Sequence, residues 1–120
     1  MDWEYLVVAG HSSLEKDEAG NFVATPQDYG NYISMLKILK EEFQAENPTN
    51  PLLLTAATGV DEHTAETAYN IPAMSEHLNL INLMTYDLHG AWVTRIGCNA
   101  NLFGVQADVS YPLSVSWAVD

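Results

Sequence analysis

The chain has 120 residues, enough for one small domain, and its content of 48% hydrophobic and 17% charged residues is that of a globular protein. A formal net charge of -12 disfavours nucleic acid and anionic membrane surfaces as partners, but it would not repel a neutral polysaccharide. No apolar run is long enough to span a bilayer, and the sequence contains no recognisable signal peptide. Cys98 is the only cysteine, which excludes an internal disulfide.

The first half of the chain predicts a strand followed by a helix. Residues 1–8, MDWEYLVV, read as the end of a strand, with acidic and aromatic side chains alternating over residues 2–5, and residues 10–22 read as a loop. The helix is predicted to begin with Thr25 as its cap and Pro26 in its first turn, and to end before ENPTNP. Its apolar stripe, with spacings of three and four residues, consists of Tyr32, Met35, Leu36, Leu39 and Phe43.

The second half predicts two more strands and two short helices. The segments 51–58, PLLLTAAT, and 78–87, LNLINLMTYD, are typical of strands buried on both faces, and one helical turn is expected at 71–76 between them. A long structured loop then leads to a final helix capped by Ser114. Apolar strands separated by helices indicate a parallel α/β sheet.

Two acidic residues near the start of the chain are candidates for acid–base chemistry. Asp2 and Glu4 would share one strand face about 6.6 Å apart. In a partly dry site, two carboxylates at this range resist ionising together, so that one of them holds the proton that a general acid needs. The alternative is a pair of solvent-facing acids on an edge strand.

A second candidate segment is 84–92, MTYDLHGAW. Met84 and Tyr86 are predicted to lie on one strand face, with Asp87 where the strand ends, and ligands of parallel sheets bind beyond that end. A tyrosine hydroxyl, a carboxylate and the aromatic face of Trp92 could together hold a sugar. Alternatively, Tyr86 and Trp92 are core aromatics.

Three ordered segments resemble glycoside hydrolase family 18, the chitinases and their lectin-like relatives. DWEY looks like the tail of the family signature D-x-x-D-x-D-x-E on the fourth barrel strand, PLLLTAA is similar to the fifth strand, and MTYD to the sixth. The resemblance implies a partial TIM (β/α)8 barrel, an arc of about strands 4 to 6, with residues 1–120 belonging to a single catalytic domain that is incomplete at both ends.

The resemblance also implies roles for individual residues. Glu4 matches the proton donor, Asp2 the acid that orients the substrate acetamido group, Tyr86 the tyrosine that contacts this group, and Asp87 a carboxylate that helps to hold the donor and the sugar. The expected substrate-binding residues are Trp3, Tyr5, Ala56 with its neighbour Ala57, Met84 and Trp92.

The function implied is hydrolysis of β-1,4 bonds between N-acetylglucosamine units of chitin by a retaining, substrate-assisted mechanism. No cofactor or metal is expected: His89 has no accompanying ligand spacing, and Cys98 is predicted to be a buried small hydrophobe. The parent protein is expected to be secreted, and the isolated chain is expected to be inactive. The alternative function is a lectin that binds chito-oligosaccharides without cutting them, although the presence of Glu4 favours the enzyme. An unrelated α/β domain is a third alternative.

Overall fold

The computed structural model describes residues 1–2, 18, 27–94, 96–104 and 113–119. The chain divides into two compact units, Met1–Asn82 and Leu83–Asp120. In chain order, the helices and strands are α1 (Asp28–Glu46), β1 (Thr55–Thr58), α2 (Glu62–Ala68), α3 (Ile71–Ser75), β2 (Leu80–Leu83) and α4 (Val115–Val119).

Helix α1 confirms the longest predicted element. It begins at Asp28 with Gln27 at the cap position, where no side chain forms a capping hydrogen bond, and the predicted cap Thr25 and first-turn Pro26 lie outside the described residues. At the other end the N–H of Asn47 bonds to the carbonyl of Phe43 at 3.4 Å. Pro48 follows directly, and a proline cannot continue a helix, so the helix stops where ENPTNP predicts.

Strands β1 and β2 form a parallel two-stranded sheet. Parallel strands need a crossover connection, and α2 and α3 supply it here. The side chain of Asn79 fastens the start of the pair, because its Oδ1 accepts hydrogen bonds from the N–H of Leu54 at 3.0 Å and from Nζ of Lys40 at 2.7 Å. The amide of Asn79, the residue just before β2, therefore links Lys40 of α1 to Leu54, the residue just before β1.

The first residue of the chain also bonds to β1. Its amino group donates to the carbonyl of Thr55 at 2.8 Å, and its carbonyl accepts from the N–H of Ala57 at 2.9 Å. One residue that bonds to both neighbours of Ala56 in this way has the hydrogen-bond pattern of a parallel ladder. Met1 is thus aligned beside β1 as the predicted first strand requires, while residues 3–8 of that strand lie outside the described part of the chain.

The hydrophobic core of Met1–Asn82 joins α1, β1, α2 and α3. All five residues of the predicted α1 stripe lie in it or pack against it. The buried members of the core are Tyr32, Leu36, Leu54, Ala56, Ala68, Tyr69 and Met74. Because fully burying one large apolar side chain is worth about 2 kcal/mol, this cluster is the main stabilising feature of the unit.

The expectation that both strand segments are buried on both faces is wrong for the described residues. Burial alternates along β1, and before it Leu52 and Leu53 are 64% and 74% exposed. In β2, Leu80 is 57% exposed. A strand is buried on both faces only when both are covered, and in β1 one face, with Ala56 and Thr58, is buried while the other, with Thr55 and Ala57, is only partly buried.

The two short helices of the crossover begin at polar caps. The carboxylate of Asp61 accepts from the N–H of Thr64 at 2.9 Å at the start of α2. The side chain of Asn70 accepts from the N–H of Ala73 at 3.1 Å at the start of α3, which has Pro72 in its first turn as predicted. The sequence analysis placed no helix between the strand at 51–58 and the turn at 71–76, so it missed α2.

The unit Leu83–Asp120 has little regular structure where it is described. Helix α4 confirms the predicted final helix, with Oγ of Ser114 accepting from the N–H of Trp117 at 3.2 Å. The loop 96–104 is tied to the start of this helix: Nδ2 of Asn101 donates to the carbonyl of Leu113 at 2.9 Å, and its own carbonyl accepts from the N–H of Val115 at 3.0 Å.

Candidate functional site

Three of the predicted site residues, Trp3, Glu4 and Tyr5, lie outside the described residues. Asp2 is described and exposed, and it follows the residue that bonds to both sides of Ala56. Its role therefore rests on the sequence, and the structure adds only that the preceding residue, Met1, is hydrogen-bonded to β1.

The two alanines of β1 lie in different environments. Ala56 is completely buried in the hydrophobic core, whereas Ala57 is only partly buried. Successive side chains of a strand point to opposite faces, so the two methyl groups face opposite sides of the sheet. Of the pair, Ala57 is the better candidate for a small residue that leaves room for a ligand.

The segment after β2 departs from the predicted strand. β2 ends at Leu83, and the N–H of Thr85 turns back to the carbonyl of Leu83 at 2.9 Å. Met84 is buried, while Tyr86 is 55% exposed. The expected sharing of one strand face by these two residues is wrong, because the regular alternation stops before them.

Asp87 has an unusual backbone. Its φ of 51° makes it the one non-glycine residue with positive φ in the described part of the chain. Aspartate tolerates this left-handed region better than most residues, but the conformation is uncommon and is found most often at turns and functional sites. Its exposed carboxylate therefore lies on a left-handed residue four positions after the end of β2.

A set of hydrogen bonds joins the segment 87–89 to the segment 97–99. Nδ2 of Asn99 donates to Oδ1 of Asp87 at 2.7 Å, and the carbonyl of Asn99 accepts from the N–H of Leu88 at 2.8 Å. Nδ1 of His89 lies 2.9 Å from the carbonyl of Cys98, and a Cβ at Gly97 would overlap the His89 ring. We call residues 87–89 and 97–99 the loop clamp.

Trp92 is exposed, but its ring packs against the backbone at Gly90. The residue is 65% exposed, and its six-membered ring lies so close to Gly90 that a Cβ there would overlap it. An exposed aromatic face held against the main chain is suited to stacking on the apolar face of a sugar ring. The structure thus places Tyr86, Asp87 and Trp92 on one short segment of Leu83–Asp120.

Other candidates are accounted for without a ligand. Cys98 is exposed, so the expectation of a buried cysteine is wrong, and its carbonyl lies 2.9 Å from Nδ1 of His89. No group of three His, Cys, Asp or Glu residues within the described ranges is arranged to hold a metal ion. Among the helices that the structure describes, none combines the length and apolar character needed to cross a membrane.

Comparison with protein families and known proteins agrees with these features. The family model described as glycosyl hydrolases family 18 matches residues 1–120. The chain is 37% identical over 120 residues to Probable chitinase 2 of Drosophila melanogaster, a match that covers 100% of this chain and 21% of that protein. The chain thus spans about a fifth of the length of that relative.

Solved structures show the same likeness. The Group IV chitinase of Ostrinia furnacalis in complex with allosamidin matches at 34% identity with a TM-score of 0.72, over 98% of this chain and 29% of that chain. Chitinase ChiA74 from Bacillus thuringiensis matches at 26% identity with a TM-score of 0.80, over 98% of this chain and 18% of that chain.

Proposed function

We propose, from the premise that the chain belongs to glycosyl hydrolases family 18, that the protein containing it hydrolyses β-1,4 bonds between N-acetylglucosamine units of chitin. The observation that carries the proposal is the family match along the whole chain, residues 1–120. The barrel positions follow from it: β1 would be the fifth strand and β2 the sixth strand of a TIM barrel, with Met1 at the fourth.

The local structure supports the roles proposed for residues after β2. Active sites of such barrels lie at the carboxyl ends of the strands. Tyr86 and Asp87 follow within four residues of the end of β2 at Leu83, both are exposed, and Asp87 has the uncommon backbone that functional sites often carry. In this proposal the Tyr86 hydroxyl contacts the acetamido carbonyl, Asp87 helps to hold the donor and the sugar, and Trp92 stacks on a sugar ring.

The proposed reaction is a retaining, substrate-assisted hydrolysis. Glu4 gives its proton to the glycosidic oxygen while the carbonyl oxygen of the substrate's own 2-acetamido group attacks the anomeric carbon. The leaving sugar departs with that proton, and a cyclic oxazolinium intermediate remains, whose charge Asp2 stabilises. Glu4 then takes a proton from water, the hydroxide opens the intermediate, and the anomeric configuration is retained.

The nature of the nucleophile sets the substrate class. A glucose polymer has the same β-1,4 linkage but no acetamido group, so it lacks the internal nucleophile and should not be cleaved. The chain's net charge of -12 is compatible with a neutral polymer such as chitin. Allosamidin, which the Ostrinia furnacalis Group IV chitinase binds in its solved complex, is a suitable probe of the same site.

The decisive experiment uses the full-length protein that contains this chain. We expect Glu4→Gln to lower kcat on a chromogenic chito-oligosaccharide by a factor on the order of 100 to 10,000, the usual contribution of a general acid. Binding of an uncleaved chito-oligosaccharide, measured by calorimetry, should stay within a few fold. The matched control is Glu66→Gln, which removes an exposed acid from α2 and should leave kcat unchanged.

Each other outcome has a definite meaning. Unchanged turnover in Glu4→Gln would remove Glu4 from the role of proton donor. Tight binding of chito-oligosaccharides by a wild-type protein that never cleaves them would favour the lectin function. Cleavage of a cello-oligosaccharide at a comparable rate would contradict the substrate-assisted mechanism.

Two further properties follow from the proposal. We expect the 120 residues alone to be inactive, because they span 21% of Probable chitinase 2 and leave large leucines such as Leu52, Leu53 and Leu80 exposed. We also infer that the full-length protein acts outside the cell, where a chitin polymer would be met. Activity assays of the short chain and localisation of the full-length protein test these two expectations.

A further inference from the structure

We propose that Asn99 is the positioning residue for Asp87, and that the loop clamp exists to aim this carboxylate; the inference rests on the function proposed above. Asp87 and Asn99 are twelve positions apart, and their side chains meet through the 2.7 Å bond from Nδ2 to Oδ1. Both belong to the unit Leu83–Asp120, so the contact is internal to one compact body.

The short bond orients the carboxylate. An aspartate side chain on an exposed turn rotates freely about its two side-chain torsions, whereas a donor at 2.7 Å on Oδ1 selects one orientation. The second oxygen, Oδ2, is then left at a defined angle and can accept a hydrogen bond from a substrate. A hydrogen bond to a charged acceptor is worth about twice a neutral one, so it is strong enough to select the rotamer.

The loop clamp also fixes the position of Asn99, which donates this hydrogen bond. The backbone carbonyl of Asn99 accepts from the N–H of Leu88, which is the residue after Asp87. Asn99 therefore bonds the Asp87 side chain with its own side chain and the adjacent backbone with its main chain. The left-handed φ of Asp87 sits at this point and turns the chain so that both bonds form together.

His89 and Gly97 continue the same clamp. The ring of His89 bonds to the carbonyl of Cys98 and lies against Gly97, where a Cβ would overlap it. The segments 87–89 and 97–99 can approach this closely only because position 97 has no side chain. Substitution of Asn99 removes the side-chain bond to Asp87 and leaves these backbone contacts in place. Its effect on the orientation of the Asp87 carboxylate can therefore be measured apart from its effect on folding.

The test uses the full-length protein and three single variants. In Asn99→Ala we expect kcat on a chromogenic chito-oligosaccharide to fall about tenfold or more, since misplaced catalytic groups commonly cost factors of this size. In Asn99→Asp we expect a larger loss at neutral pH, because the introduced carboxylate repels Asp87. Relative to wild type, this variant should regain activity as the pH falls and one carboxyl of the pair takes up a proton.

Asn101→Ala is the matched control. Asn101 is the next asparagine of the same loop, and among the described residues its side chain donates to the backbone carbonyls of Phe103 and Leu113, at 3.0 and 2.9 Å. Its removal should lower Tm at least as much as removal of the Asn99 side chain while leaving kcat and its pH profile close to wild type. A structural role for Asn99 would make the two variants behave alike.

A double substitution tests whether Asn99 acts through Asp87. In an Asp87→Ala background, the further change Asn99→Ala should lower the residual kcat by less than twofold. A full additional tenfold loss in the double variant would overturn the inference. An unchanged kcat in Asn99→Ala alone would overturn it as well. In both cases the proposed function would still stand, provided that the unmutated protein cleaves the substrate. Absence of turnover by the wild-type protein would overturn the proposed function, and the inference would fail with it.

Discussion

The units Met1–Asn82 and Leu83–Asp120 are held by different interactions. In the first, one apolar cluster joins α1, β1, α2 and α3, and it includes the completely buried Leu36 and Met74. In the described part of the second, the buried residues are Met84, Leu88 and Ser114, and hydrogen bonds between loop segments supply the order.

The difference separates stability from positioning. An apolar core is non-directional and tolerates small shifts, so its loss is felt mainly as a lower free energy of unfolding. Hydrogen bonds and close glycine contacts are directional, so their loss is felt mainly as a misplaced side chain. The candidate residues Tyr86, Asp87 and Trp92 lie in the unit Leu83–Asp120, which is ordered by these directional contacts. Substitutions in the two units should therefore change different observables.

The largest expected effect on stability is in the core. Leu36 is completely buried on α1, so Leu36→Ala should lower the free energy of unfolding by about 3 kcal/mol through lost burial and a cavity. Denaturant unfolding of the full-length protein measures it. Ile38→Ala on the same helix is the control, since Ile38 is 57% exposed and should cost less than about 0.5 kcal/mol. Equal costs at the two positions would contradict the assignment of the core.

A smaller effect, on binding rather than stability, is expected at Gly90. A Cβ at this position would overlap the Trp92 ring, so Gly90→Ala must displace the indole from the backbone. If Trp92 stacks on a sugar, the affinity for a chito-oligosaccharide should fall by about 1 kcal/mol, the usual worth of an aromatic contact. Calorimetric titration of the full-length protein measures this.

The control for Gly90 is a second glycine in the other unit. A Cβ at Gly30 in α1 would have open space around it, so Gly30→Ala should leave binding unchanged and stabilise the helix by about 0.5 to 1 kcal/mol. The same substitution would thus act on binding in one unit and on stability in the other. Unchanged affinity in both Gly90→Ala and Trp92→Ala would show that this ring does not contact the sugar.

The smallest expected effect concerns alkaline pH. Burial raises the pKa of the Tyr32 phenol above its ordinary value of 10.0, because the charged form is poorly solvated in the core. The unfolded chain then loses this proton at lower pH than the folded chain, so the contribution is complete below pH 10 and is lost as the pH rises further. Tyr32→Phe should therefore show a shallower fall in the free energy of unfolding above about pH 10. Parallel curves for the two proteins would exclude this coupling.

Local sequence patterns predicted much of the core unit. The stripe from Tyr32 to Phe43 placed α1, because residues three and four apart share one helix face. Proline and glycine boundaries placed β1, and Ser114 correctly marked the start of α4. Helix α2 was missed because its buried residues are only Thr64 and Ala68, which make no apolar stripe.

The candidate site was predictable as a set of residues but not as an arrangement. MTYD and HGAW point to Tyr86, Asp87 and Trp92 through their resemblance to a family. Nothing near Asp87 in the sequence indicates Asn99, since the bond between them spans twelve positions and follows no periodic spacing. Likewise, the glycine at position 90 reads as an ordinary turn residue until the Trp92 ring is seen against it.

The sequence by itself determined the class of element at α1, β1, α3, β2 and α4 and the residue types available for chemistry, because helix and strand periods and proline stops act over a few neighbouring residues. Only the tertiary structure decided the left-handed turn at Asp87, the loop clamp and the exposure of the strand leucines. These features depend on contacts between segments that are distant along the chain. Such contacts decide whether a polar atom has a hydrogen-bond partner and whether an apolar side chain is buried.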